Sequence, residues 1–515
     1  MTAITATSLI HWLLLETILP QQLMIAFLVI ILLFIILKKF ILGDALDYQK
    51  NPAKFLLHKS QHDSIFGINL AGRKMVVMTG TCHDDACTSS KSCGCPHREL
   101  LHQAMTLPER IFSAREAVAD VGFLYTLGSN NVYRGTDFHK RCIKDYVNEH
   151  GDLNFGLLNA LRDSYRVIIE GERLKQQAGD DAVVVFDDLL NLVRLATLRA
   201  IVVELLGESF LNCSCCSSDF LDEFMVLQDS IESATAAAAI LPSWISVPLI
   251  LKPVEKRRMK LQINIQERIR WAWQQDHGII GPWLVKFRQQ CDEGILTLEV
   301  ASEFVVGLLF AAAKNPAIAS AQTLLFLVLH GSDEHTSKVH DEAEQLLKSA
   351  QRNKCTTTTP LRTIRQSCYE TLRLTSHSIG ALRKVKEEEV VLGSGTSQQY
   401  ILSPSQVVAV SHIVPSLDQR MWGKDADKYK PSREEWTKEE AKPDEYKFST
   451  FSQGHHRCPG QSIALQIMEL TLSILLVHYE VTLQQKKEAV PGVCFERATI
   501  AQRKGKVPVC IRIRR

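Results

Sequence analysis

A short stretch near the C-terminus constrains the fold more than any other part of the chain. It has the pattern F-x-x-G-x-[basic]-x-C-x-G, which is formed by Phe451, Gly454, His456, Cys458 and Gly460. An apolar run typical of a helix follows directly. A cysteine at this place lies close to backbone N–H groups and to the positive end of the helix dipole, so we expect its thiolate to be favoured.

The two glycines of this stretch allow the backbone to approach a flat ligand closely, because they lack side chains. A cysteine thiolate suits a soft or borderline metal, and iron in haem is the obvious candidate. The alternative is a buried structural cysteine that precedes a helix. The full pattern resembles the haem-binding loop of the cytochrome P450 superfamily. This resemblance implies Cys458 as the proximal iron ligand, Phe451 as a shield of the thiolate, and Gly454 and Gly460 as cofactor-binding residues.

The resemblance also implies a fold. It predicts a mainly α chain with a small β region, in which haem lies between a long distal helix and the helix after the cysteine loop. The run from 295 to 329 is mostly apolar and resembles that distal helix. The segment 44–81 is interpreted as a linker followed by strand pieces, and the segment 390–402 as a hairpin.

A polar break in the distal helix carries Ala311, Lys314, Asn315 and Pro316. Family monooxygenases usually have an acid and a threonine where this chain has Lys314 and Asn315, and that pair delivers protons during oxygen activation. We predict that Ala311, Lys314 and Asn315 form the distal catalytic group, although asparagine is a poor proton relay. Pro316 has no N–H and clashes with an earlier carbonyl, so a kink is expected, either at the oxygen groove or for packing reasons.

Asparagine at the place of Asn315 leaves two reaction types open. It occurs in the family branch that holds cholesterol 7α-hydroxylase, which is a monooxygenase, and in prostacyclin synthase, which isomerises a peroxide without a reductase. The C-terminal run 497–505 resembles sterol 14-demethylase. The resemblance therefore favours a sterol or a related lipid as the substrate.

Glu370 and Arg373 are spaced so that both side chains lie on one face of a helix and can pair. With Arg433, further along the chain, they resemble the Glu–Arg–Arg triad of the family. The resemblance implies a buried, hydrogen-bonded triad that locks the segment leading to the cysteine loop. Its role is structural and not catalytic.

Four residues are candidates for holding the haem propionates. Arg383 falls where sterol 14-demethylases place an arginine on a propionate, and His456 takes the other basic position; both contacts would be charge-assisted. The usual W-x-x-x-R pattern of the family is missing from this sequence, and Tyr133 and Lys144 are interpreted as its replacement. The alternative for the basic helix that holds Lys144 is a solvated surface that docks a reductase.

The N-terminus predicts a membrane anchor. An uninterrupted apolar run from 23 to 37 is followed by Lys38 and Lys39, which favours a cytoplasmic domain after a single span. The alternative, a cleaved signal peptide, lacks a small-residue cleavage site. We therefore divide the chain into an anchor at 1–43 and a catalytic domain at 44–515, with the endoplasmic reticulum as the expected membrane.

The net charge of +2, from 59 basic and 57 acidic residues, gives no reason to expect a nucleic-acid partner. Most of the 14 cysteines are interpreted as free thiols, because the main body is expected in a reducing compartment. A zinc site can be drawn from cysteines and a histidine between Cys82 and His97, but their spacing fits no zinc pattern, and a polar surface insertion is favoured.

Together these features predict a membrane-anchored haem-thiolate monooxygenase that hydroxylates or demethylates an apolar lipid. It would use O₂ and electrons from NADPH through a separate NADPH–cytochrome P450 reductase, because the sequence has no flavin or nicotinamide motif. One alternative is a reductase-independent isomerase or dehydratase of lipid peroxides. The other is a haem protein without catalytic activity that senses lipid or gas.

Overall fold

The computed structural model describes residues 43–81, 96–129, 138–150, 154–179, 183–214, 216, 219–275, 280–351, 361–386, 388–393, 399–437, 446–496 and 500–514. The expected membrane anchor, Tyr133 and the cysteines of the Cys82–His97 cluster lie outside these residues.

The N-terminal part of the chain combines short helices with the first strands of a sheet. Its elements are α1 (Ala45–Lys50), α2 (Pro52–Lys59), β1 (Ile65–Leu70), β2 (Arg73–Met78), α3 (Pro96–Thr106), β3 (Phe112–Ser113), α4 (Ala114–Asp120), α5 (Phe123–Leu127), α6 (Phe138–His150) and α7 (Phe155–Lys175).

The middle of the chain supplies the long helices. They are accompanied by one short strand and one π-helical turn, in the order β4 (Val184–Phe186), α8 (Leu189–Leu206), α9 (Glu208–Leu211), α10 (Phe220–Ile240), α11 (Ser243–Ser246), the π-helical turn Val247–Leu251, α12 (Lys252–Gln274), α13 (Pro282–Asp292), α14 (Leu298–His330), α15 (Asp333–Gln351) and α16 (Arg362–Leu374).

The C-terminal part returns to strands around one more long helix. Its elements are β5 (Ala381–Val385), β6 (Val390–Leu392), β7 (Tyr400–Leu402), β8 (Val407–Val410), α17 (Ile413–Leu417), α18 (Gln419–Trp422), α19 (Glu434–Thr437), a 3₁₀ turn (Gly454–His456), α20 (Gln461–His478), β9 (Tyr479–Leu483), a 3₁₀ turn (Lys487–Ala489), β10 (Val493–Cys494), β11 (Gln502–Arg503) and β12 (Val509–Ile513).

Two helices occupy the segment that the sequence analysis interpreted as a linker. The second of them, α2, begins at Pro52, whose missing N–H costs nothing in the first turn of a helix. Asn51 caps this helix, because its side chain accepts a hydrogen bond from the backbone N–H of Lys54 at 2.9 Å. An asparagine followed by proline is a helix start signal, and the sequence interpretation missed it.

A five-stranded sheet lies beside the helices, with the strand order β1-β2-β8-β5-β3. β2 and β8 pair in parallel, with Met75 opposite Val407, and the other neighbours are antiparallel. Smaller sheets have the orders β4-β12-β9, β6-β7 and β10-β11. The predicted class, mainly α with a small β region, is therefore confirmed.

The long helix α14 lies in the middle of the core and continues through Pro316. Among the described residues, α14 and α20 are the two helices whose length and apolar composition would allow them to cross a membrane. Their most apolar windows are 83% and 61% buried inside the protein, and the two helices pack against each other. Their apolar character is therefore explained by the core.

The carboxylate of Glu370, fully buried near the end of α16, lies between two guanidinium groups. Arg373 donates to it through Nε and Nη2 at 2.8 and 2.7 Å, and Arg433 donates through Nε at 2.9 Å. The indole N–H of Trp436 and the backbone N–H of Lys430 each donate to it at 2.9 Å. Because Arg433 also pairs with Asp425 at 3.0 Å, two carboxylates face two guanidinium groups. The buried charges are thus balanced and hydrogen-bonded, which a stable buried ion pair requires.

The same group of side chains fixes the chain that leads to the cysteine loop. Arg373 donates through Nη1 to the carbonyl oxygens of Ser416 and Ala426. Its guanidinium also lies 4.8 Å from the ring centroid of Trp422, at cation–π distance. α16 is thereby connected to the segment between β8 and the cysteine loop.

Replacing Glu370 with glutamine should lower the free energy of unfolding by about 3 kcal/mol or more, because the fully buried Arg373 loses its acidic partner and Arg433 keeps only the partly exposed Asp425. The matched control is Glu480→Gln, which breaks an exposed pair with Arg512 and should change stability by less than about 0.5 kcal/mol. Urea unfolding of both variants measures the difference. Equal losses in the two variants would contradict a stabilising role for the buried triad.

Candidate functional site

The cysteine loop begins at Phe451 and ends where α20 begins. Cys458 donates its backbone N–H to the carbonyl of Phe451 at 2.8 Å, which closes the loop. Gly454 has a φ of +68°, and a Cβ at this place would lie 2.3 Å from the carbonyl oxygen of Met105 in α3. Glycine is required here for both reasons. The loop is thus held against the end of α3, with the thiol just before α20.

The side chain of Cys458 is exposed, although burial by the surrounding protein raises the pKa of its thiol. The backbone N–H of Gly460 and the charge of Arg457 oppose this rise in pKa, but burial outweighs them. We expected the helix start to favour the thiolate, but the effect of burial on the pKa of this thiol is larger. The thiol is therefore accessible to a ligand although protein lies around it. A metal cation bound there would deprotonate the coordinating thiol.

One narrow stripe of α14 is also accessible inside the core. Ala311, Ala312 and Asn315 are partly accessible, whereas the residues directly before, between and after them are buried. Their spacing places them on one face of the helix. The side-chain oxygen of Asn315 lies 3.5 Å from the backbone nitrogen of Ile500, at the limit of a hydrogen bond. We call these three residues the accessible stripe of α14.

Lys314 does not share the accessible stripe with Ala311 and Asn315. Its side chain is 1% exposed and turns to α10, where Nζ lies 2.8 Å from Asp229 and 2.6 Å from Glu232. The ammonium is therefore engaged by two carboxylates. The structure brings Ala311 and Asn315 together on the accessible stripe and turns Lys314 away from it.

This ion cluster joins four elements. Arg194 of α8 lies 2.8 Å from Asp229, and Gln502 of β11 donates to Glu232 at 3.1 Å. Burial opposes ionisation of Asp229, but Lys314 and Arg194 outweigh it and lower the pKa of this carboxyl. This cluster has no signal in the sequence, because its members are far apart in the chain and each is an ordinary polar residue of a helix or strand.

Two buried basic side chains near β5 have polar atoms without partners among the described residues. Arg383 is 4% exposed; its Nη1 donates to the carbonyl of Leu382, and its Nη2 has no partner. His412 is 2% exposed, neither of its ring nitrogens has a partner, and burial lowers its pKa to about 3. A buried guanidinium without a bound carboxylate suits an anionic ligand, and a haem propionate would supply one.

His456 already has an acidic partner within the chain. Its Nε2 lies 2.9 Å from the carboxylate of Glu109, which also accepts hydrogen bonds from Ser113 Oγ and the backbone N–H of Arg115. Burial raises the pKa of Glu109, but these hydrogen bonds outweigh burial and lower it to about 2. Glu109, which the sequence analysis did not single out, is therefore the acidic partner of His456 within the chain, and the propionate contact of His456 stays a prediction.

The remaining candidates are dispersed. Lys144 is exposed on α6, and Tyr133 lies outside the described residues. Of the cysteines that the structure describes, Cys213 is disulfide-bonded and the others are free, namely Cys142, Cys216, Cys291, Cys368, Cys458, Cys494 and Cys510. No group of three or more metal-binding side chains occurs among the described residues.

Comparison with known proteins identifies the family of this chain. Residues 171–510 match the cytochrome P450 family. Cytochrome P450 714C3 of Oryza sativa is 23% identical over 332 residues, which are 63% of this chain and 61% of that protein. A sterol 14alpha-demethylase of Mycolicibacterium vanbaalenii is 26% identical over 208 residues, 40% of this chain and 44% of that protein.

A third relative is a fusion. The bifunctional cytochrome P450/NADPH–P450 reductase 2 of Bacillus subtilis is 31% identical over 156 residues, which are 28% of this chain and 13% of that protein. The matched segments thus span between 13% and 61% of the lengths of these three relatives.

The chain belongs to the cytochrome P450 family. Members of this family bind haem through a cysteine thiolate. The site fits that cofactor in two respects: the thiol of Cys458 is accessible, and Arg383 has an unpartnered buried nitrogen that an anionic group could engage.

Replacing Lys314 with methionine should lower the free energy of unfolding by about 3 kcal/mol, because Glu232 is left as an uncompensated buried charge. The double variant K314M/E232L should recover most of this loss, since Asp229 is half-exposed and keeps Arg194. The matched control, Lys338→Met, breaks an exposed helical pair and should cost less than about 0.5 kcal/mol.

Urea unfolding of the wild type, Lys314→Met, K314M/E232L and Lys338→Met measures these differences in the free energy of unfolding. If the double variant is as unstable as Lys314→Met, the loss comes from packing around the lysine stem and not from the unpaired carboxylate.

Proposed function

We propose that the protein is a membrane-anchored haem-thiolate monooxygenase that oxidises an apolar lipid, with a sterol favoured. Cys458 is the axial ligand, and O₂ and electrons from NADPH through a separate reductase complete the reaction. The bound haem supplies the activation of oxygen. The chain's residues hold the substrate at the stripe of Ala311 and Ala312, and Asn315 presents an amide beside it.

The observation that carries this proposal is the position of the accessible thiol. Cys458 is exposed in a loop fixed by Gly454 and by the hydrogen bond to Phe451, and the chain belongs to a family that binds haem by a cysteine. An exposed cysteine on an outer loop would not be surrounded by protein. Phe451 packs its ring 6.4 Å from that of Phe448, which supports its role as a cover for the thiolate.

The apolar nature of the substrate is supported by the alanines of the stripe and by a surface suited to a membrane. Trp244 and Leu249 are 76% and 71% exposed between α10 and α12, directly before the basic start of α12. Exposed apolar side chains beside lysines suit a lipid interface. The sterol is favoured because a relative is named a sterol 14alpha-demethylase. An anchor at 1–43 in the endoplasmic reticulum and a catalytic domain at 44–515 complete the proposal.

A second candidate is a reductase-independent isomerase or dehydratase of lipid peroxides. The observation that favours it is the engagement of Lys314 by Asp229 and Glu232, which leaves Asn315 as the polar side chain of the accessible stripe on α14. An amide can bind a peroxide oxygen but transfers protons poorly. Such a site suits rearrangement better than the proton-dependent activation of O₂.

The two functions are separated by offering the haem-loaded protein one pool of sterols and one pool of lipid hydroperoxides and endoperoxides. Each pool is incubated with and without NADPH and a generic P450 reductase, and products are measured by mass spectrometry. We expect sterol products that require NADPH, the reductase and O₂. Product from the peroxide pool without reductase would establish the isomerase instead, and haem binding without product from either pool would indicate a sensor.

A further inference from the structure

A pocket with a volume of about 230 Å³ lies where the first turns of α7 meet the last turns of α15 and the end of α20. The side chains that form its walls include Phe155, Leu158, Asn159, Arg162, Leu347 and His478. Drug-sized ligands need pockets of roughly 300–1,000 Å³, so this pocket suits a smaller molecule. We call it the α7 pocket.

The α7 pocket is separate from the candidate haem site. Helix α20 begins at Gln461, shortly after Cys458, and ends at His478 in the pocket. With a rise of about 1.5 Å per residue, the two ends of this helix lie about 25 Å apart. A small ligand of the α7 pocket would therefore not contact Cys458.

One wall of the pocket is apolar. Leu158 of α7 and Leu347 of α15 belong to the hydrophobic core and border the pocket, and Phe155 is partly accessible beside them. This wall can hold the apolar body of a ligand, because the removal of apolar surface from water is favourable.

The positive charge of Arg162 is not compensated at the pocket. Three other basic residues of α7, Arg166, Arg173 and Lys175, each pair with an acid three residues earlier in the helix. Asn159 takes that place before Arg162, and its side-chain oxygen accepts a hydrogen bond from Arg162 Nη2 at 3.0 Å. Among the described residues no carboxylate forms an ion pair with Arg162. An amide partner leaves the charge of the guanidinium available to an anion.

Other groups at the pocket also favour a negative charge. Burial and, to a smaller extent, the charge of Arg162 lower the pKa of His478, so its imidazole is neutral at pH 7 and has one N–H to donate. α7 begins at Phe155, and the positive end of its dipole lies there. The carbonyl oxygens of His478 and Tyr479, which would repel an anion, already accept hydrogen bonds from Arg514 at 2.9 and 3.0 Å.

We propose that the α7 pocket is a second ligand site, which binds a small carboxylate with an apolar body of about the size of benzoate. Arg162 engages the carboxylate through charge-assisted hydrogen bonds, and Asn159 and His478 donate N–H groups beside it. The apolar body lies against Leu158 and Leu347. The inference goes beyond the proposed function, because none of these residues takes part in the reaction at Cys458.

The test is equilibrium dialysis of the haem-loaded protein against radiolabelled benzoate, benzyl alcohol, benzylamine and acetate. We expect benzoate to bind at least about tenfold more tightly than benzyl alcohol, because a hydrogen bond to a charged group contributes more than one to a neutral group. Benzylamine, which is a cation, and acetate, which has no ring, should also bind more weakly than benzoate. A second series contains clotrimazole, an azole that occupies the haem iron, and benzoate binding should be unchanged there.

Variants assign the binding to the uncompensated charge. Arg162→Gln should bind benzoate at least about tenfold more weakly than the wild type. Asn159→Asp should weaken binding by a similar factor, because it gives Arg162 the acidic partner that the other basic residues of α7 have. The matched control is Lys175→Gln, which removes an exposed basic residue from the far end of α7 and should bind benzoate as the wild type does. Retained haem and an unchanged melting temperature show that each variant is folded.

Several results would overturn the proposal. One is a wild-type protein that does not bind benzoate, or that binds benzyl alcohol or acetate as tightly as benzoate. Another is equal affinity for benzoate in the wild type and in Arg162→Gln. Loss of benzoate binding when clotrimazole is present would place the ligand at the haem and not in the α7 pocket. Because dialysis needs no turnover, none of these outcomes depends on which reaction the protein catalyses.

Discussion

The buried carboxylate of Glu370 is the interaction on which the arrangement of the site depends. This one carboxylate accepts hydrogen bonds from Arg373, Arg433 and Trp436. Arg373 also donates to a carbonyl oxygen of the segment before the cysteine loop. Because each partner is itself buried, movement of this segment would expose a charge to an apolar interior. The position of Cys458 relative to the core helices therefore follows from an ion pair some distance away in the chain.

A second cluster of buried charges connects α14 to α10 through Lys314. The family resemblance led us to expect that Lys314 and Asn315 would both face the distal pocket. The structure separates them: Asn315 is on the accessible stripe, and Lys314 is neutralised by Asp229 and Glu232 from α10. Lys314 thus helps to hold α10 and α14 together, and Asn315 is the polar side chain of the accessible stripe.

The sequence was sufficient for the family and for the fold class, because the cysteine loop and the long apolar helix have distinctive patterns. The sequence did not indicate that burial has a larger effect than the helix start on the pKa of the Cys458 thiol. That balance depends on the protein around the thiol. Nor could it show that Glu109 contacts His456, because pairs between distant segments have no local signature. Helix α2 was missed for another reason, as the start signal at Asn51 was present and was overlooked.

The central claim is that Cys458 is the thiolate ligand of haem. The most direct measurement is the absorbance spectrum of the reduced, carbon monoxide-bound protein, for the wild type, for Cys458→Ala and for Cys368→Ala, a buried cysteine of α16. The account predicts the long-wavelength Soret band of thiolate ligation in the wild type and in Cys368→Ala, and its loss in Cys458→Ala. A thiolate band that persists in Cys458→Ala, or one that is missing from the haem-loaded wild type, would contradict the account.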